Sequence, residues 1–496
     1  MTFASFSEPL HLKQETFYVL IPLTLSLLTR LLIFLLVTAS CLAAPKLTIT
    51  PDKVDLDETV AVRVTGIKEG DHVVFTTWLA DAANRWWTSE AEFVADKNGV
   101  VDLSKQAPIS GSYSGVDPMG LFWSMSLPPQ MTQRTAYWHG SLEPMEIFVK
   151  ATLKEGIDLK HTLIRKVAPE DLMRKEVRSD GIRGTLLLPP SEKPLPAIIV
   201  LGGSAGGIPF DSYTAQFAKS GFASLGLAYF EEEGLPANLS EIPVEYFQKA
   251  IAWLRTQPEV DPERIGIVGT SIGGTAALLV AAHSPEVKAV ASFNGGGVIF
   301  QSIDPNPELR RREQSSFSLK GVPLPFIPIQ SPPLDTESLS TAYYLRVFLG
   351  SLFAAPQKIV DEATVPVERI GGPILLISGQ ADRLMGSATL NEIAYERLVF
   401  HAFPHAFHLL TFNGAGHNLG ETGLPGTPSK LSQELMGASS IPYSFGGNPQ
   451  DIASARITSW EKVLSFFHEA LKPPKEESSS RPQPKSATKK STDAKK

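Results

Sequence analysis

Between Lys46 and about Lys160 apolar and polar residues alternate in short runs. Lys46-Leu-Thr-Ile-Thr50, Val60-Ala-Val-Arg-Val64 and His72-Val-Val-Phe-Thr-Thr-Trp78 each show the period of two of a half-buried strand. Turn material bounds them at Pro51-Asp52, Lys68-Glu-Gly-Asp71 and Lys97-Asn-Gly99. Short strands at this spacing predict an antiparallel β-sandwich over residues 45–165. After about Val167 the pattern changes. Pro196-Ala-Ile-Ile-Val-Leu201 is apolar almost throughout, as a strand buried on both faces must be. Gly184–Leu188, Phe222–Ala228, Ile265–Val268, Ala289–Phe293 and Pro373–Ser378 read as further strands. Helices are predicted over Val244–Arg255, from Ile272, and as a closing segment over Ser454–Leu471. Strands alternating with helices imply a mostly parallel sheet flanked by helices over residues 166–472. Between Gly297 and about Arg369 the text loosens and becomes Pro-rich, a habit of lids and binding segments.

Length agrees with two folded units, since 496 residues exceed one ordinary core. The net charge of -7 does not point to a nucleic-acid binder, which usually shows a basic face, and no nucleic-acid partner is expected. The conspicuous positive charge lies in residues 473–496, a Ser/Pro/Lys-rich tail read as disordered. Cys41 is the one cysteine, so an intrachain disulfide and a Cys-based metal site are both excluded. It follows Arg30, the apolar run Leu31–Val37 and the small residues Thr38-Ala-Ser40, the layout of an export signal over residues 1–44. Cleavage after Ala43 satisfies the small-x-small rule, and Thr38-Ala-Ser-Cys41 also resembles a loose lipoprotein box. The competing reading is an uncleaved anchor over Phe17–Val37, against which the charge of Arg30 counts. Export to a bacterial periplasm or envelope is therefore expected, with membrane association through residues 17–41 as one form of it. Cytoplasmic residence is the alternative.

The chemistry centres on Gly269-Thr-Ser-Ile-Gly273, which matches the G-x-S-x-G nucleophile elbow of α/β-hydrolases. A strand precedes it and the Ala-rich stretch Gly274–Ala282 follows, which is the context the motif requires. A hydroxyl needs a base, and the base an orienting acid, in the chain order Ser, Asp/Glu, His. Asp382, in Gly379-Gln-Ala-Asp382, and His417, in Gly414-Ala-Gly-His417, satisfy that order. Asp361 is the rival acid. His401, His405 and His408 are rival histidines, read as strand or loop packing with a metal site as the minor alternative. The oxyanion donors are expected at Ile272 and, in the loop Leu201-Gly-Gly-Ser-Ala-Gly-Gly207, at Ser204. Nucleotide binding by that loop is poorly supported, because neither G-K-[ST] nor G-x-G-x-x-G is present. No metal and no cofactor is expected.

Several longer segments resemble one family. Gly111-Ser-Tyr-Ser-Gly-Val-Asp-Pro-Met-Gly-Leu-Phe-Trp-Ser124, Phe222–Phe230, Glu245-Tyr-Phe247, Gly266–Ser271, Gly379–Asp382 and Gly414–His417 are similar, in order, to type-I acyl-CoA thioesterases and bile acid-CoA:amino acid N-acyltransferase. The resemblance runs from about residue 46 to 471. It implies an N-terminal β-sandwich joined to an α/β-hydrolase, with Ser271, Asp382 and His417 as the triad. The family's transferases tend to use Cys as nucleophile and its thioesterases Ser, so Ser271 favours transfer of the acyl group to water. Two departures stand out: Ile272 where a Lys is common and Met385 where an aromatic is common. Acyl-CoA hydrolysis through an acyl-enzyme is thus the expected activity, on a small-molecule acyl thioester or ester. A general carboxylesterase or lactone hydrolase, an acyltransferase and, last, a non-catalytic envelope binding protein are the alternatives. The apolar segment Ala342–Ala355 is a candidate wall for an acyl channel. CoA thioesters are cytosolic, so the expected substrate and the expected export pull in opposite directions.

Overall fold

The computed structural model describes residues 44–128, 139–302, 314–330, 343–423, 425–426, 430–431 and 443–473. The export or anchor segment lies outside the described residues except for Ala44, as do the tail beyond residue 473 and residues 303–313 and 331–342 of the Pro-rich text. Among the described residues no helix is long and apolar enough to cross a membrane.

Alternation makes the N-terminal region. Strands β1 (Lys46–Thr50), β3 (Ala61–Thr65) and β6 (Val101–Asp102) form a small sheet. Strands β2 (Lys53–Asp55), β4 (His72–Ala80), β5 (Trp86–Val94), β7 (Ser110–Gly111), β8 (Met145–Thr152) and β9 (Asp158–Lys166) form a larger one, in the order β2-β9-β8-β4-β5-β7. In β4 the side chains of Val73, Phe75, Thr77 and Leu79 turn inward while their neighbours stay partly exposed. Val62 and Val64 from the small sheet share one apolar cluster with Phe75, Phe93 and Ile147 from the larger. The region is not wholly antiparallel as expected. β2 pairs in parallel with β9, two strands far apart in sequence that no hairpin obliges to run in opposite directions.

From residue 173 the chain builds an eight-stranded sheet. Its strands are β10 (Met173–Ser179), β11 (Ile182–Leu188), β12 (Leu195–Leu201), β13 (Ala223–Ala228), β14 (Val260–Thr270), β15 (Val287–Phe293), β16 (Ile374–Gly379) and β17 (Phe407–Phe412). The order is β10-β11-β13-β12-β14-β15-β16-β17. The first two junctions are antiparallel and the rest parallel, so the sheet is mixed and α/β-hydrolase-like. Each face buries its own apolar layer. Ile199, Leu201, Ile265 and Ile267 meet helices α2 (Val244–Arg255) and α3 (Ile272–Ala282) through Phe247 and Leu278. Ile198, Val200 and Val268 meet α1 (Asp211–Lys219) and the closing helix Pro449–Ala470 through Phe217, Trp460 and Phe467. Each such side chain contributes about 1.5–3 kcal/mol on burial.

Two boundaries differ from the sequence reading. The loosened stretch contains α4 (Tyr343–Ala354), whose Val347, Phe348 and Leu352 are buried. Its sequence, Tyr-Tyr-Leu-Arg-Val-Phe-Leu-Gly-Ser-Leu-Phe-Ala, is apolar on nearly every side, so no helical period marks it. The closing helix begins at Pro449, five residues before the expected Ser454. Asn448 caps it by accepting from the Asp451 N–H at 2.9 Å, with Pro449 at the first position. With helix Ser387–Phe400 as α5, this closing helix is α6.

Candidate active site

The elbow is built by close approach. Ser271, between β14 and α3, has φ 58° and ψ -130°, a conformation that side chains resist. The turn holds because Gly269 and Gly273 leave no room for anything larger. A Cβ on Gly269 would lie 2.0 Å from the Gly273 carbonyl oxygen, and one on Gly273 2.1 Å from that of Gly202. The Ser271 N–H donates to the Phe293 carbonyl at 2.8 Å, which ties the turn to β15.

The expected partners converge on it. His417 Nε2 lies 2.9 Å from Ser271 Oγ, and its Nδ1 2.8 Å from Asp382 Oδ2. Asp382 sits in the turn between β16 and α5 and is 3 % exposed. Its Oδ1 accepts from the N–H groups of Leu384 (2.8 Å) and Met385 (3.2 Å), and its Oδ2 from that of Ser387 (3.2 Å). Burial pushes the Asp382 carboxyl up. The charge of His417 and the hydrogen bonds from His417, Ser387 and Leu384 outweigh it, so the group ends below the usual carboxylate value. An ionised carboxylate only accepts, so Nδ1 carries the proton and Nε2 presents its lone pair to the Ser271 hydroxyl. The arrangement can therefore take a proton from Oγ. His417 is held in its loop after β17 by an N–H bond to the Phe445 carbonyl at 2.7 Å.

The other expected residues fall as follows. Ile272 is the first residue of α3, where the helix leaves N–H groups without an intrahelical acceptor. In the loop after β12, Gly203 is the residue packed on the nucleophile. A Cβ there would lie 3.1 Å from Ser271 Cβ and 3.6 Å from Oγ. Ser204, chosen from the sequence, is the next residue along. The rival acid Asp361 accepts from Gln357 at 2.8 Å on an exposed helix face. His401 meets Phe400 edge-on, His405 meets Phe403 in the same way, and His408 lies on β17. Among the described residues no group of three or more His, Cys, Asp or Glu side chains is placed to hold a metal ion.

Sequence reasoning missed Asn294. Its amide is buried between the segments that carry the acid and the base. Oδ1 accepts from the Gly379 N–H (2.9 Å) and the Ser387 hydroxyl (3.0 Å), and Nδ2 donates to the carbonyl of His417. Its own N–H donates to the Ile377 carbonyl at 2.8 Å. The only sequence sign was an Asn between an apolar strand and the run Gly295-Gly-Gly297, at a φ of 47° that Asn tolerates. Met385, noted in the sequence as a departure from the resembled family, has its Sδ 3.5 Å from Ser271 Oγ.

Comparisons with known proteins agree over most of the chain. The family description "BAAT / Acyl-CoA thioester hydrolase C terminal" matches residues 242–473, and "Acyl-CoA thioester hydrolase/BAAT N-terminal region" matches residues 57–179. An X-Pro dipeptidyl-peptidase (S15 family) description matches residues 179–304. The chain is 29 % identical to bile acid-CoA:amino acid N-acyltransferase of Mus musculus, over 86 % of this chain and 98 % of that protein. It is 27 % identical to peroxisomal succinyl-coenzyme A thioesterase of Mus musculus, over 84 % and 94 %. A solved puromycin-hydrolyzing peptidase of Mycobacterium tuberculosis superposes with a TM-score of 0.40 at 16 % identity, covering 82 % of this chain and 54 % of that one.

Proposed function

We propose, on the premise that this chain belongs to the acyl-CoA thioester hydrolase and bile acid-CoA:amino acid N-acyltransferase family, that it hydrolyses acyl-CoA thioesters through Ser271. The observation that carries the reading is the run of hydrogen bonds from Ser271 through His417 to Asp382. His417 takes the Oγ proton as Oγ attacks the thioester carbonyl, and Asp382 stabilises the imidazolium that forms. The oxyanion settles on the Ile272 N–H and an N–H of the Gly203-Ser204 loop. The C–S bond breaks, His417 returns the proton to the leaving sulfur, and water then cleaves the acyl-enzyme with His417 again as base. Serine at 271 supports water, rather than an amine, as the acceptor. Ser271→Ala is expected to abolish palmitoyl-CoA hydrolysis while leaving the thermal unfolding profile unchanged. Undiminished cleavage by that variant would overturn the assignment.

The triad treats esters and thioesters alike, so an assay panel separates the carboxylesterase reading: efficient cleavage of short aryl esters with no acyl-CoA turnover would favour it. We read residues 45–165 as a β-sandwich, supported by two sheets with one shared apolar cluster, and residues 166–472 as the catalytic domain. Export rests on residues 30–45 alone. The mature chain is expected to start at about Cys41 or Ala44, and the intact mass of natively expressed protein checks it; a soluble cytoplasmic chain retaining residues 1–44 would refute it.

A further inference from the structure

We infer that Met385 sets the acyl-chain length the enzyme accepts. A carbon bonded to Ser271 Oγ has three other substituents to place, and three kinds of neighbour are at hand. The start of α3 at Ile272 and the loop at Gly203, packed on Ser271, offer N–H groups that suit the carbonyl oxygen. His417 Nε2, 2.9 Å from Oγ, suits the leaving atom, which needs its proton. The thioether of Met385, 3.5 Å from Oγ, is the apolar neighbour, and we assign the acyl chain to it.

What lies behind Met385 is apolar. It belongs to a cluster with Phe300, Phe348, Leu352, Leu384 and Leu390, and is itself 4 % exposed. Helix α4 is pressed onto the turn beside it: a Cβ on Gly386 would lie 2.7 Å from Leu349 Cδ1 and 2.9 Å from Leu345 Cδ1. The backbone of the turn is fixed as well, because the Met385 N–H donates to Asp382. The side chain is the part whose bulk can change without moving the turn. Next to Oγ, it occupies space into which an acyl chain would extend, and its size bounds the length of chain that fits.

This inference rests on the proposed hydrolysis at Ser271 but not on CoA, so two substrate series test it. kcat/KM is measured for acyl-CoAs and for p-nitrophenyl esters from two to sixteen carbons, with thermal unfolding as the folding control. Each added methylene that finds apolar wall should raise kcat/KM about fourfold, up to a break-point. Met385→Ala removes roughly the volume of three methylenes and should move the break-point out by about two to three carbons. Met385→Phe should move it inward. Unchanged break-points in both folded variants would overturn the inference. Ester hydrolysis without acyl-CoA hydrolysis would refute the thioester reading while the ester break-points still decide the role of Met385. A folded enzyme that cleaves neither series would refute both.

Discussion

At the scale of single residues the site divides into groups that a motif announces and groups that only packing creates. Ser271, Asp382 and His417 were legible because each follows a strand in a glycine-marked turn and their chain order is fixed by the fold. Asn294 was not, because its importance lies in two segments, residues 379–387 and the loop of His417, that are distant from it in sequence and end beside its amide. Asn294→Ala leaves the Gly379 N–H without its buried acceptor, a loss of about 1–3 kcal/mol. It also frees the carbonyl of His417 and the hydroxyl of Ser387. We expect kcat to fall by up to about 10²-fold, the scale of an ångström of misplacement, with KM little changed. Rates of fluorophosphonate labelling at Ser271 should fall in step; a variant that only unfolds more easily would keep full kcat at low temperature.

Among elements, those with a clear period were placed well from sequence and those without one were not. Helix α2 was predicted over its observed span, since apolar residues recur along one face. Helix α4 was read as loose chain, because an all-round apolar helix shows no period and proline-rich text precedes it. The start of α6 depended on a side-chain cap at Asn448 that a hydrophobic pattern does not reveal. That helix also steadies the segment after His417. Arg456 donates to the carbonyls of Asn418 (3.0 Å) and Pro425 (3.1 Å) and faces the charge of Glu421. Burial lowers its guanidinium to about 10, with Glu421 pulling it back up, while burial raises Glu421 against the pull of Arg456. Arg456→Met should therefore cost up to about 3 kcal/mol, the low end for breaking a buried pair, because Glu421 keeps partial access to water. Adding Glu421→Gln should restore part of that. Urea unfolding of the two single variants and the double variant checks it, and strictly additive losses would show that the charges do not interact.

On the scale of the whole molecule the two regions lean on each other. Lys219 of α1 pairs with Asp55 at 3.3 Å and also with Asp57. The Gly426 N–H donates to the Trp123 carbonyl at 2.8 Å, and Ala453 of α6 completes the N-terminal apolar cluster. Trp123 lies in the Gly111–Ser124 segment that the sequence marks only by resemblance, and its carbonyl accepts from a residue of the chain that runs on from His417. A chain beginning at residue 166 should lose its support there, with kcat/KM down roughly 10²-fold and a lower melting temperature. Full activity in such a chain would show the regions to be independent. The same contact governs the order of events during synthesis. The N-terminal sheets leave the ribosome first, yet the alanine that completes their cluster is made about 300 residues later, roughly 15–60 s at ordinary elongation rates. The first-made part of the chain thus waits, incompletely covered, for the last-made helix.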